Sequence, residues 1–163
     1  MNWLTNRIPE HIKATFKVRL MGFLKIPLIF YVKPSVILIN QDKIVVKIPF
    51  KRRNKNHLRS MYFGTMCVGA DCSGGLLAMK LIEDRPEKIS LVFKDLTADF
   101  LKRAEGDTYF TCEQGREIKQ LVDTVSQSEA RKEMPITITA TVPDKFGDEP
   151  VAEFTMTLSL KKK

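Results

Sequence analysis

Apolar residues recur along this chain at several spacings, and each spacing predicts an element. Trp3, Leu4, Ile8, Ile12, Phe16 and Leu20 fall at helical intervals and predict a helix over residues 3–24. Pro27 and Pro34 then predict an extended passage. Val36–Asn40 and Ile44–Phe50 read as strands joined through Gln41–Lys43, with Ile44, Val46, Ile48 and Phe50 on one face. A basic, polar loop follows over Lys51–His57.

The next stretch, from about Tyr62 to Glu83, predicts a long helix. Phe63, Met66, Cys67, Ala70, Gly74, Leu77, Ala78 and Leu81 share one side, yet Val68, Leu76 and Met79 lie elsewhere. A helix apolar nearly all round is a buried one. Its glycines lower helix propensity but let other backbone pack close, which suits the inside of a curled sheet. Ile89–Lys94 and Leu96–Arg103 read as one long bent strand, Thr108–Glu113 as another, and Gly115–Glu129 as a surface helix burying Ile118, Leu121, Val122 and Val125. The clearest strands come last. Ile136, Ile138, Ala140 and Val142 alternate with threonines, and Ala152, Phe154, Met156, Leu158 and Leu160 alternate with polar residues, with a turn at Pro143–Pro150 between them.

Antiparallel strands around one central helix make an α+β fold. Strands and helices do not alternate, and no Gly-rich phosphate fingerprint follows a strand, so the Rossmann and P-loop readings fail. At 163 residues the chain fits a single domain, with an N-terminal helical arm over 1–33 and a core over 34–163.

Charge is unevenly spread. Residues 1–60 hold thirteen Lys and Arg against two Asp and Glu, whereas the whole chain carries +8. That balance points to an anionic partner: nucleic acid, a lipid surface or a phosphorylated small molecule. The cations are scattered and not interleaved with stacking aromatics, which argues against a nucleic-acid partner. Residues 60–79 are long enough to span a bilayer, but four glycines and Asp71 make them a poor spanning helix. Residues 20–32 are too short, and Lys25 and Pro27 break them; peripheral membrane contact through this basic, apolar arm stays open. Cys67, Cys72 and Cys112 have no metal-ligand spacing and read as reduced, structural thiols of a cytoplasmic protein.

One residue carries the chemistry. Between Arg59 and Lys80 the only charge is Asp71. A carboxylate in so apolar a stretch is paired, neutralised or used. It serves either as a structural acid bonded to a neighbouring strand or as a reactive group.

The stretch Asn56-His57-Leu58-Arg59-Ser60-Met61-Tyr62-Phe63-Gly64, seven residues before Asp71, resembles the start of the central helix in hotdog-fold thioesterases. The phenylacetate-pathway type, and an uncharacterised group beside it, are the nearest in pattern. Such proteins show an Asn, six residues later a His-Gly-Gly turn, then an Asp or Glu within the helix. Asn56 takes the Asn position, Gly64 the second glycine and Asp71 the catalytic acid, while Tyr62 and Phe63 replace His-Gly. The resemblance implies a hotdog fold: an antiparallel sheet wrapped around the central helix, with the N-terminal helix and the helix at 115–129 as extras. It further implies hydrolysis of a thioester, commonly acyl-CoA, with no metal or other cofactor, in a pocket between subunits of a homodimer or homotetramer. Asp71 would act as general base or nucleophile, Asn56 would orient water or the carbonyl, and Gly64 would let the thioester approach the helix start. Tyr62 and Phe63 would border the substrate, and Arg52, Arg53, Lys55 and Arg59 would hold the phosphates of CoA. The two replaced turn residues also raise an alternative on the same fold, a non-catalytic binder of acyl-CoA or fatty acid; under either reading the apolar arm at 20–32 covers the acyl tunnel or touches a membrane.

Overall fold

The computed structural model describes residues 8–163. Helix α1 (Glu10–Leu24) begins after Pro9; the part of the expected helix before residue 8 lies outside the described residues. Where an extended passage was expected, a second short helix forms, α2 (Pro27–Val32). Pro27 occupies the first helical position, where its missing N–H costs nothing and its fixed φ favours the helix. Pro34 disfavours helical backbone before it, and Lys33 ends α2 in the left-handed region at φ 58°. α1 and α2 close into a hairpin at Gly22, where a Cβ would stand 2.6 Å from the Phe30 amide nitrogen.

Six strands form one antiparallel sheet: β1 (Ser35–Ile39), β2 (Ile44–Ile48), β3 (Ile89–Phe100), β4 (Thr108–Cys112), β5 (Lys132–Thr141) and β6 (Pro150–Lys162). Their order is β1-β2-β4-β5-β6-β3. The alternation seen in sequence sets the faces: Ile44, Val46 and Ile48, Ile136, Ile138 and Ala140, and Phe154, Met156, Leu158 and Leu160 are all buried. β3 is a single strand with an irregularity between Phe93 and Leu96, where the Asp95 carboxylate accepts the Thr157 N–H at 3.0 Å. It is also an edge of the sheet, and it leaves Val92, Leu96 and Phe100 exposed.

The sheet curls around α3 (Phe63–Glu83), the hotdog layout. Small residues on α3 permit the close approach. A Cβ on Gly69 would lie 2.4 Å from Phe110 Cε2, and one on Gly74 would lie 2.5 Å from Ile136 Cδ1. α3 is long and apolar enough to cross a membrane, yet it is mostly enclosed by the sheet. It is not buried all round, however. Phe63 is exposed, and Cys67, Val68, Asp71 and Met79 are half-buried along an uncovered side. α4 (Gly115–Ser126) packs Ile118, Val122 and Val125 against α3, β5 and β6, and the one-turn helix α5 (Pro143–Phe146) lies in the expected turn. Cys67, Cys72 and Cys112 are unpaired.

Candidate active site

The loop before α3 is built by its own polar groups. Asn56 Oδ1 accepts the N–H groups of Leu58 at 2.9 Å and Ser60 at 3.1 Å, and Arg59 turns the chain at φ 61°. Asn54, fully buried, donates from Nδ2 to the carbonyls of Val32 at 3.1 Å and Pro49 at 2.9 Å. Its own carbonyl accepts the Tyr62 N–H at 2.8 Å. Asn54 thereby ties the arm to the point where α3 starts. Tyr62 precedes the helix in extended backbone, and no side chain caps that end. The first amides of α3 therefore keep their donor capacity, at the positive end of a 21-residue helix.

Gly64 and Asp71 are seven residues apart, two turns, so they lie on the same side of α3. Together with Cys67, Val68, Phe93 and Leu96 they line a cleft of 460 Å³. Asp71 also borders a second, larger cavity of 890 Å³, walled mainly by Val18, Met21 and Ile29 of the arm, Leu76 and Met79 of α3, and Leu91 of β3. The carboxylate thus stands at the junction of two openings. Burial pushes its pKa above the usual carboxylate range, and among the described residues no cation or hydrogen-bond donor counters it. Burial and the neighbouring Asp71 charge hold the Cys72 thiol protonated.

The other expected site residues fall in three places. Arg52, Lys55, Asn56, His57 and Arg59 line a separate basic concavity of 670 Å³. Asn56 belongs there, engaged with its own loop, and not to the cavities at Asp71. Arg53 turns away: its guanidinium lies 5.9 Å from the Tyr31 ring centroid and donates to the Tyr31 carbonyl at 3.4 Å. Tyr62 and Phe63 are both exposed at the helix start, and the Tyr62 ring leaves no room for a Cβ on Gly64. Phe63 meets Phe100 of the sheet edge at 6.4 Å between centroids. Among the described residues no group of three His, Cys, Asp or Glu side chains could hold a metal ion.

A family described as a domain of unknown function, DUF4442, matches residues 14–160. The chain belongs to the DUF4442 family. No curated protein matches it. The DUF4442 chain is similar in structure to PA5026 of Pseudomonas aeruginosa, described as a protein of unknown function and probable thioesterase. The TM-score is 0.74 at 20% identity, covering 91% of this chain and 96% of that one. It is also similar to OLEI01261 of Chlorobaculum tepidum, of unknown function, at TM-score 0.79 and 10% identity over 93% and 96% of the two chains. A thioesterase family protein of Silicibacter pomeroyi matches at TM-score 0.65 and 17% identity, over 91% and 99%. At these identities the likeness shows a shared fold.

The sequence pattern pointed to Asp71 and Gly64, and it left open whether the apolar arm covers the acyl tunnel or touches a membrane. Val18, Met21 and Ile29 form a cavity wall, and Leu28 reaches the cleft. Their signal was an N-terminal helix apolar on more sides than a surface helix requires.

Proposed function

We propose that this DUF4442 protein hydrolyses acyl thioesters of the acyl-CoA type. The observation that carries the reading is Asp71: a half-buried carboxylate on the central helix, open to two cavities and two turns from the helix start, with no partner for the carboxylate and no side-chain cap among the described residues. The relatives of like fold that are described as thioesterases support it.

The proposed chemistry needs two elements at one carbonyl. Donors must stand about 3 Å from the developing oxyanion, and a base or nucleophile must reach the carbon from the other side. The amides at the start of α3 suit the first role and Asp71 the second. Seven residues of helix separate Gly64 from Asp71, roughly 10 Å of rise. One chain therefore does not bring both to one carbonyl. A two-fold pairing of two copies along the open β3 edge would set the helix start of one beside Asp71 of the other. The exposed Val92, Leu96, Phe100 and Phe63 suit such an interface. We accordingly assign a homodimer as the smallest active unit, with a tetramer as a pair of dimers.

In this reading water adds to the thioester carbonyl as Asp71 takes its proton, or Asp71 adds first and water then hydrolyses the anhydride. Either way the C–S bond breaks and the thiolate leaves to take up a proton, giving a carboxylate and a free thiol. The 890 Å³ cavity takes the acyl group. Arg52, Lys55 and Arg59 attract the phosphates of CoA as point charges, and Asn56 holds their loop in shape. The unpaired cysteines fit a reducing compartment, and the proposal places the protein in the cytoplasm.

The test is thiol release from a panel of acyl-CoA esters of varied chain length, with wild type and Asp71→Ala side by side. Turnover in the wild type that the variant lacks supports the reading. Tight binding of acyl-CoA with no thiol released by either protein replaces it with the non-catalytic alternative.

A further inference from the structure

We infer that the outer face of the α1–α2 hairpin docks on the anionic surface of a lipid bilayer. α1 is apolar on two opposite sides. Its inner side, with Val18 and Gly22 buried, packs on the body of the protein. Its outer side presents Ile12, Phe16, Leu20 and Phe23 at helical spacing, with Phe16 68% and Phe23 64% exposed. A helix that meets only water on that side would be polar there. α2 adds Phe30, partly exposed beside Phe23. The platform is preorganised: α2 backbone touches Gly22, and the Phe23 and Phe30 rings meet edge to face at 5.3 Å.

Charge selects the occupant. Residues 8–33 hold five cations (Lys13, Lys17, Arg19, Lys25 and Lys33) against one acid, Glu10, which Lys80 engages at 3.2 Å. Lys13, Lys25 and Lys33 are exposed and form no ion pair among the described residues. An apolar strip bordered by unpaired lysines matches headgroup phosphates above acyl chains, with aromatic rings at the boundary. A second copy of this chain on the same face would bring lysines against lysines. The inner side of the same hairpin walls the cavity at Asp71, so docking would hold that cavity against the bilayer. The inference does not depend on the hydrolase reading.

Co-sedimentation of the full chain tests it, with vesicles of phosphatidylcholine alone and of phosphatidylcholine with phosphatidylserine. The wild type is expected to bind the anionic vesicles at least roughly tenfold more tightly, with the advantage shrinking as salt rises. Phe16→Ser/Phe23→Ser should weaken that binding roughly tenfold or more, and Phe16→Ser/Leu20→Ser, which leaves the Phe23–Phe30 contact intact, should weaken it while retaining the wild-type melting temperature. Lys13→Glu/Lys33→Glu should remove the preference for anionic lipid, and Leu58→Ser, exposed elsewhere, should change nothing. Wild-type protein that stays in the supernatant with both vesicles overturns the inference. So does equal binding by the Phe16→Ser/Phe23→Ser variant, or a fall in oligomer size in that variant without any vesicle binding by the wild type.

Discussion

Gly69→Ala tests how the sheet grips the central helix. In an exposed helix this change stabilises by about 1 kcal/mol, because alanine has less backbone freedom to lose. Here the added methyl would stand 2.4, 2.5 and 2.6 Å from three atoms of the Phe110 ring. That ring is fully buried, pairs in register with Val46 and Ala140 on either side, and meets Phe154 at 6.1 Å between centroids. It has nowhere to swing, so either the ring leaves its rotamer or α3 lifts from the sheet. Overpacking of this kind costs about 1–3 kcal/mol and sometimes more. Set against the propensity gain, the net loss is up to about 2 kcal/mol, a fall of several degrees in melting temperature for a chain of this size. Urea denaturation of wild type, Gly69→Ala, Phe110→Leu and the double variant measures it. The smaller leucine makes room for the methyl, so the double variant should be more stable than the two single losses predict, by about 0.5–3 kcal/mol. If Gly69→Ala alone stabilises by the full helix-propensity amount, α3 is not seated against Phe110 as described.

Two further outcomes follow from the site. Because burial raises the Asp71 pKa in the folded protein, native stability declines as pH rises from 3.8 through that raised value, the range in which the buried carboxyl must ionise. Asp71→Asn should therefore melt higher than wild type at about pH 7, with the gain shrinking as pH falls toward the unfolded carboxyl's range; equal melting at both ends of the titration would contradict a charge buried without a partner. Leu96→Lys on the exposed β3 edge should convert the proposed dimer to a monomer in sedimentation velocity and abolish the proposed thiol release with little change in melting temperature. A fully active monomeric variant would show that one chain suffices.

The core was largely legible in the sequence, and the periphery was not. β5 and β6 declared themselves because each has one wet and one dry face, which a two-residue period records directly. α3 declared itself by length and small residues. The passage after Pro27 was misread because proline both breaks helices and begins them, and only tertiary context separates the two cases. In β3 the burial alternation is blurred by its edge position and by the irregularity between Phe93 and Leu96, which is the bend that its two apolar runs already implied. At the site, Asp71 was legible as a lone charge in an apolar stretch. Asn56 had the expected spacing, but its side chain is engaged with its own loop, and spacing along a chain does not report which cavity a loop faces. The arm's part stayed open between covering the acyl tunnel and touching a membrane, for a different reason. A helix apolar on both sides gives no sign of which side turns inward.

The proposed chemistry rests on a half-buried Asp71 carboxylate, unpaired among the described residues and open to two cavities. The most direct measurement is the pH dependence of kcat/KM for acyl-CoA hydrolysis, which reports groups of the free enzyme. Activity is expected to rise with pH, with a midpoint above the ordinary carboxyl value of 3.8, and the acidic limb to disappear in Asp71→Asn. A limb centred at or below that value, or one that survives the substitution, would contradict it.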